Sequence, residues 1–209
     1  MGVYEKLTGV AEELAKNVLE ANNKSIDPKD IANIVKVHAA GATVAGLGTA
    51  WLPGLGAAVA TATCVGFIWG MYIRINNQIG LKLSKNILQT LAAGVATNLA
   101  SAAISSIVIG ALFSFIPGIG SVGASVIFGT ICYALTFASG FVYIKLITNI
   151  FKAKKAPENY SAEDLKTMAE ETIKNENMKD FMKKAKEDYK KAKENGDFDK
   201  SYDDLKVDE

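Results

Sequence analysis

One stretch of the chain, from Asn86 to Ile144, contains no aspartate, glutamate, lysine, arginine or histidine. It is broken once, at Pro117 and Gly118, into two arms that each exceed the roughly 20 residues needed to cross a bilayer core as a helix. A water-exposed helix of that length nearly always carries a polar face. The stretch therefore predicts an apolar helical hairpin with a lipid bilayer as its solvent.

A second uncharged run extends from Ala39 to Ile73 and is divided at Pro53 and Gly54. The segment Leu52-Pro-Gly-Leu-Gly56 recurs as Ile116-Pro-Gly-Ile-Gly120, which is an internal repeat. Proline fixes φ and glycine permits left-handed backbone, so both copies predict tight turns. The predicted turn residues are Pro53, Gly54, Gly56, Pro117, Gly118 and Gly120.

The predicted fold is all-α, with two Pro-Gly-turned apolar helical hairpins, hence four membrane helices, between amphipathic N- and C-terminal helices. Residues 1–26 form the predicted N-terminal helix, and residues 27–151 form the hydrophobic membrane domain, with repeat halves at about 31–80 and 84–150. Residues 152–209 form a charged amphipathic helical tail. Predicted caps are Asp27 and Ser84 at helix starts, and Gly80 at a helix end.

Small residues recur at every fourth position along each apolar helix, and such stripes let helix backbones approach closely in lipid. The same stripes also occur in tightly packed soluble bundles, so by themselves they do not distinguish a membrane protein from a soluble one. The predicted helix-packing residues are Gly46, Gly66, Gly70, Ala102, Ser106, Gly110, Ser125 and Gly129.

Both ends of the chain show helical periodicity with one apolar stripe. Val3, Leu7, Leu14 and Val18 belong to a predicted helix over 3–21. In the tail, Ser161 is a predicted helix cap, followed by a stripe that ends near Asn195 and Gly196. Each stripe suits packing on the protein itself, contact with lipid headgroups, or docking to a partner helix. The predicted partner-binding residues are Met178, Phe181, Met182 and Tyr189.

The sequence contains few residues in arrangements that indicate catalysis or ligand binding. A formal net charge of +1 favours neither nucleic acid nor an acidic substrate as a partner. Cys64 and Cys132 stand alone in apolar runs and are interpreted as small packing residues without a disulfide or metal role. His38 has no companion motif, and an interfacial or capping role is favoured over catalysis. Asp197 begins a calcium-loop-like segment, but Tyr202 replaces the required glycine. We expect no enzyme activity, cofactor or metal.

Basic residues define the predicted topology. Lysines precede the first hairpin, Arg74, Lys82 and Lys85 lie between the hairpins, further lysines follow the second, and neither Pro-Gly tip is charged. The positive-inside rule then places both termini and the middle loop in the cytosol.

Several short motifs resemble the DUF697 family, a hydrophobic domain of inner-membrane proteins found beside Era-like and dynamin-related GTPases. The matching segments lie within about 35–150 and are Leu52-Pro-Gly54, Ile79-Gly-Leu-Lys-Leu-Ser84, Ile116-Pro-Gly-Ile-Gly120, Leu135-Thr136, Gly140 and Ile144-Lys145. The resemblance implies a membrane-embedded helical module and a cytosolic GTPase as partner. The chain itself has no phosphate-binding Gly-x-x-x-x-Gly-Lys-Ser/Thr loop.

We therefore expect a non-enzymatic membrane protein that anchors, scaffolds or shapes membrane and recruits a cytosolic partner through its terminal helices, with self-association also open. The alternative is a pore-forming or toxin-like protein whose hairpins insert into a membrane from a soluble form. A soluble bundle with buried glycine-rich helices is a third reading.

Overall fold

The computed structural model describes residues 2–49, 56–112, 121–154, 156 and 159–196, and it describes no side chains at 46–61, 102–128 and 192. The described part of the chain contains seven helices and no strand, so the all-α prediction is confirmed. In chain order they are α1 Val3–Asn22, α2 Pro28–Thr49, α3 Gly56–Ile79, α4 Lys85–Leu112, α5 Ser121–Lys152, α6 Ala162–Asn175 and α7 Met178–Glu194.

Local signals place most helix ends where the sequence predicts them. The Asp27 carboxylate accepts a hydrogen bond from the Lys29 N–H (2.8 Å), and the Ser84 hydroxyl accepts one from the Ile87 N–H (3.3 Å). Ser161 and Asp164 form a reciprocal capping box. Gly80 and Gly196 take φ of 75° and 74°, the left-handed geometry that ends a helix at little cost for glycine.

Helix α5 is the centre of the bundle and contacts each of the other six helices. α2 with α3 and α4 with α5 form two hairpins, and α1, α6 and α7 wrap the ends of the hairpins that carry the charged connections. The α1 stripe of Val3, Leu7, Leu14 and Val18 is buried against this core. We call α1, α6 and α7 the head.

Of the four predicted membrane helices, one is a candidate membrane span within the part of the chain that the structure describes. By length and composition, one stretch there, Gly129–Lys152 of α5, is apolar enough to cross a membrane. The side chains of α2 are described up to Ala45, those of α3 from Ala62 and those of α4 up to Ser101, so the apolar runs of these helices continue into residues whose side chains lie outside the description. Moreover, 83% of the most apolar window of the α5 stretch is buried inside the protein. A buried core helix and a membrane helix have the same composition when every face is covered.

Candidate functional site

A buried polar seam joins the two hairpins along α3 and α5. Tyr72 Oη lies 2.6 Å from Ser139 Oγ, and the Tyr143 hydroxyl donates to Asn76 Oδ1 at 2.5 Å; both pairs are 67 residues apart in sequence. The Tyr72 and Tyr143 rings stack with centroids 3.9 Å apart. A constant separation means that the two helices run parallel. Directional hydrogen bonds between buried groups then fix their register.

Three buried polar atoms on α3 and α5 have no hydrogen-bond partner within the described residues: Trp69 Nε1, Asn76 Nδ2 and Thr136 Oγ1. Trp69 and Thr136 are also 67 residues apart, so they occupy facing positions on the seam. Each unpaired buried group costs about 1–3 kcal/mol. The seam therefore joins the hairpins by specific contacts at some cost in stability.

A disulfide between Cys64 and Cys132 closes the seam at the side of the hairpin tips. The Cα atoms are 5.6 Å apart, and both residues are buried beside Ala42 and Phe67. The interpretation of these cysteines as unlinked packing residues is wrong. Their proximity arises from the register of α3 on α5, and spacing along the chain does not reveal that register.

Among the predicted packing glycines, the structure describes Gly66, Gly70 and Gly129. Gly129 is buried, and its carbonyl accepts a hydrogen bond from the Thr43 hydroxyl at 3.4 Å. A Cβ at Gly70 would lie 3.8 Å from His38 Nε2, whereas a Cβ at Gly66 would meet no atom within 4 Å. Gly66 therefore makes no close contact with another helix among the described residues. The side-chain surroundings of Gly46, Ala102, Ser106, Gly110 and Ser125 lie outside the description.

Gly140 has the closest neighbours of the glycines whose surroundings the structure describes, and it does not belong to the predicted small-residue stripes. A Cβ built at Gly140 of α5 would lie 2.6 Å and 2.7 Å from the two Cγ atoms of Val35 in α2, and 3.2 Å from Met71 Sδ. Only glycine fits this crossing without a shift of neighbouring atoms. The predicted turn residues Pro53, Gly54, Pro117, Gly118 and Gly120 lie outside the described residues, and Gly56 is the first residue of α3.

The four predicted partner-binding residues lie inside the protein. Met178, Phe181, Met182 and Tyr189 are each less than 5% exposed. Phe181 packs on Phe141 with ring centroids 4.6 Å apart, and Tyr189 packs on Tyr133 at 5.8 Å. The apolar face of α7 is therefore covered by α5, and the large hydrophobic side chains exposed among the described residues are Tyr4 and Leu19 of α1.

The head ends at one level along the bundle. α7 runs antiparallel to α5, because Phe181 contacts Phe141 whereas Tyr189 contacts Tyr133. Asp188, next to Tyr189, interacts electrostatically with the backbone N–H groups of Val3 and Tyr4, so α1 begins beside the last two turns of α7. We call this the boundary level. It also includes the Thr43 contact with Gly129 and the Cys64 disulfide.

Beyond the boundary level, the described parts of α2, α3, α4 and α5 continue. We call the sequence segments 44–63 and 102–128, which contain these parts, the tip segments. Neither tip segment contains a charged residue or a histidine. The ion pairs that join the head to α5, Lys145 with Glu176 and Lys152 with Glu13, lie on the other side of the boundary level. The molecule is thus divided along its length into a charged part and an uncharged part.

His38 lies in the core of the charged part rather than at an interface. It is 3% exposed, and its Nδ1 lies 2.7 Å from the Ile34 carbonyl oxygen, to which it donates. Burial lowers the pKa of His38 from 6.5 to about 4, with a smaller contribution in the same direction from the Arg74 charge. The imidazole is therefore neutral in the folded protein at pH 7.

The His38 site predicts acid sensitivity. The unfolded chain binds a proton to His38 below pH 6.5, whereas the folded protein binds it only near pH 4. The neutral imidazole therefore makes its full contribution to stability above pH 6.5. This contribution is lost as the pH falls toward 4. The total loss is about 3 kcal/mol, at 1.36 kcal/mol per pH unit. Denaturant unfolding at pH 7 and pH 5 measures the part of this loss that falls between those pH values, about 2 kcal/mol. The His38→Gln variant should lack that part of the pH dependence; an equal dependence in both proteins would contradict the assignment.

No group of three histidine, cysteine, aspartate or glutamate side chains in the described ranges is placed to hold a metal ion. No protein-family model, curated protein or solved structure matches the chain. The resemblance to DUF697 therefore stays a prediction from the short motifs.

Proposed function

We propose that this protein is a non-enzymatic membrane anchor or scaffold whose two hairpin tips enter the bilayer while its charged head stays in water. The observation that carries the proposal is the boundary level: α1 begins and α7 ends near it, and the tip segments that follow it in each hairpin are uncharged. Uncharged helical hairpins satisfy their backbone hydrogen bonds internally, as a bilayer requires.

The helix lengths favour insertion into one leaflet. The second tip segment, 102–128, contains 27 residues, so each arm of a helical hairpin in it has at most about 13 residues, or about 20 Å at 1.5 Å per residue. A bilayer core is about 30 Å thick, so one leaflet is about 15 Å. The proposed arrangement replaces complete crossing with half-insertion, and it keeps both termini and the middle loop on the cytosolic side of the inner membrane.

A depth measurement tests this proposal. The Gly118→Cys protein carries an environment-sensitive fluorophore at the second tip, and the native cysteines are paired with each other. We expect quenching by lipids brominated near the bilayer centre, and no reaction of an unlabelled sample with an impermeant maleimide added from the opposite side. A Lys183→Cys label on the exposed face of α7 should stay unquenched.

Reaction of position 118 from the opposite side would replace half-insertion with a complete crossing. Absence of quenching at position 118, together with recovery of the protein from the aqueous phase, would overturn the membrane function itself.

A second candidate function is insertion from a water-soluble form, as in pore-forming or toxin-like proteins. The burial of α5 supports this candidate. Its apolar stretch packs against α1, α6 and α7, which keep it away from water before insertion. A resident protein needs detergent from the moment of synthesis, whereas an inserting protein can be purified from water. Dye release from plain liposomes by protein purified without detergent would favour this candidate.

We also propose that the head recruits a partner, but through its exposed faces and not through the buried residues of α7. The resemblance to DUF697 implies a cytosolic GTPase partner, and the exposed polar faces of the head are the surfaces available for it. Deletion of residues 156–209 is a poor test, because removing α6 and α7 uncovers Phe137 and Phe141 of α5. Charge substitutions on the exposed faces test recruitment without uncovering the core.

A further inference from the structure

The contacts between the two hairpins are strong on the head side of the bundle. Tyr72 Oη lies 2.6 Å from Ser139 Oγ, and the Tyr143 hydroxyl donates to Asn76 Oδ1. Gly140 is the next residue after Ser139, and a Cβ there would lie 2.6 Å from an α2 side chain. Buried hydrogen bonds and close packing therefore hold the hairpins together from the level of Ser139 toward the head.

The polar side chains Trp69, Thr136 and Thr43, which lie between Ser139 and the boundary level or at it, bind the opposite hairpin weakly. Trp69 Nε1 and Thr136 Oγ1 are buried without a hydrogen-bond partner among the described residues. The Thr43 hydroxyl donates within its own helix at 2.9 Å and lies 3.4 Å from the Gly129 carbonyl oxygen. Unpaired buried groups favour separation, because water satisfies them once they are exposed.

A covalent bond joins the hairpins on this weaker side. Cys64 of α3 and Cys132 of α5 form a disulfide at the boundary level. On the opposite face of α3, Ala62 and Gly66 are exposed, and a Cβ at Gly66 would meet no atom within 4 Å. No described residue therefore packs behind α3 at this level. Without the disulfide, the outer side of α3 offers no barrier to its movement away from α5.

We propose that the Cys64–Cys132 disulfide is a redox latch between the two hairpins. While the bond is intact, the hairpin tips stay side by side; after reduction, α3 separates from α5 on the tip side of Tyr72 and Ser139, which form the hinge. The inference rests on the proposed membrane function for its compartment, since half-insertion puts the boundary level on the cytosolic face. Cytosolic thiols are kept reduced, and disulfides that form there are usually transient or redox-sensing.

The co-reactant is a dithiol, either a protein of the thioredoxin class or a small molecule such as dithiothreitol. Its thiolate attacks one sulfur of the pair to form a mixed disulfide, which its second thiol then resolves. The bond between Cys64 and Cys132 breaks, each cysteine gains one electron and one proton, and the dithiol is oxidised to a disulfide. Both cysteines are buried, so the reaction requires local opening, which the weak polar contacts on this side permit.

Hydrogen exchange of the full chain, followed by mass spectrometry of its peptides, tests the latch. The oxidised protein is compared with protein treated with dithiothreitol and with the Cys64→Ser, Cys132→Ser variant. We expect reduction to accelerate exchange at least about ten-fold in residues 62–69 of α3 and 129–136 of α5, and to leave residues 72–79 and 139–147 unchanged. The variant should match the reduced protein both with and without dithiothreitol.

Equal exchange in the oxidised and reduced proteins would overturn the inference, as would a disulfide that dithiothreitol does not reduce in the folded protein. Equal acceleration on both sides of Ser139 would also overturn it, because the bond would then stabilise the whole bundle and not one side of it. Absence of quenching at position 118 would instead remove the proposed function without changing the exchange pattern, which separates the two failures.

Discussion

The substitution Phe181→Asp is expected to reduce the free energy of unfolding by about 5 kcal/mol or more. Phe181 is 2% exposed and packs on Phe137 and Phe141 of α5. Loss of a buried phenylalanine costs about 3–5 kcal/mol, and an unpaired carboxylate in the same place adds several more. The sum approaches the total stability of a typical domain, so we expect a largely unfolded or aggregated protein.

Denaturant unfolding measured by circular dichroism gives the comparison. Lys183→Asp, two residues along α7 on its exposed side, is the matched control and should change stability by about 0.5 kcal/mol or less. If Phe181→Asp were as mild as the control, the apolar face of α7 would not be packed on α5. It would then be free for a partner, as the sequence alone suggested.

The substitution Gly140→Leu should cost about 3 kcal/mol or more. Its Cβ alone would lie 2.6 Å from a Val35 methyl group, and neither Val35 nor Met71 has exposed surface into which it can move. Valine is also stiff at χ1 in a helix, so relief requires α2 and α5 to separate. We expect a lower melting temperature and loss of the close α2 contact.

Gly66→Leu is the control on α3, because a Cβ there meets no atom within 4 Å. Leucine has the higher helix propensity by roughly 0.8 kcal/mol, so this variant should be equal to or slightly more stable than the unchanged protein. Thermal unfolding of both variants in one buffer decides the point. Similar losses would mean that Gly66 is also a packing position, as the small-residue stripe predicted.

Local chemistry made the helix ends predictable. Side-chain caps at Asp27, Ser84 and Ser161 act within three residues of themselves, so the sequence contains the whole interaction. The break between α6 and α7 was missed, although its signal is present: Asn177 caps α7 by accepting from the Asp180 N–H at 3.0 Å. Apolar periodicity on both sides of Asn177 concealed it.

Contacts between helices were not predictable in the same way. The importance of Gly140, the pairing of Tyr72 with Ser139 and the disulfide all depend on how far α5 slides along its neighbours. The sequence also does not distinguish lipid from protein as the surroundings of α5. A helix without charged side chains can be surrounded by either one. The amphipathic stripes of α1 and α7 predicted faces that need cover, and the structure identifies that cover as α5.

The disulfide turns part of the chain into a closed covalent ring. Cys64 and Cys132 are 68 residues apart, and the ring they close contains the second half of α3, the connection from Leu81 to Ser84, all of α4 and the second tip. The exposed basic side chains Lys82 and Lys85 flank the one break between helices on the head side of this ring. A protease that cuts there opens the ring without dividing the molecule, because the two pieces remain joined through sulfur until a reductant separates them.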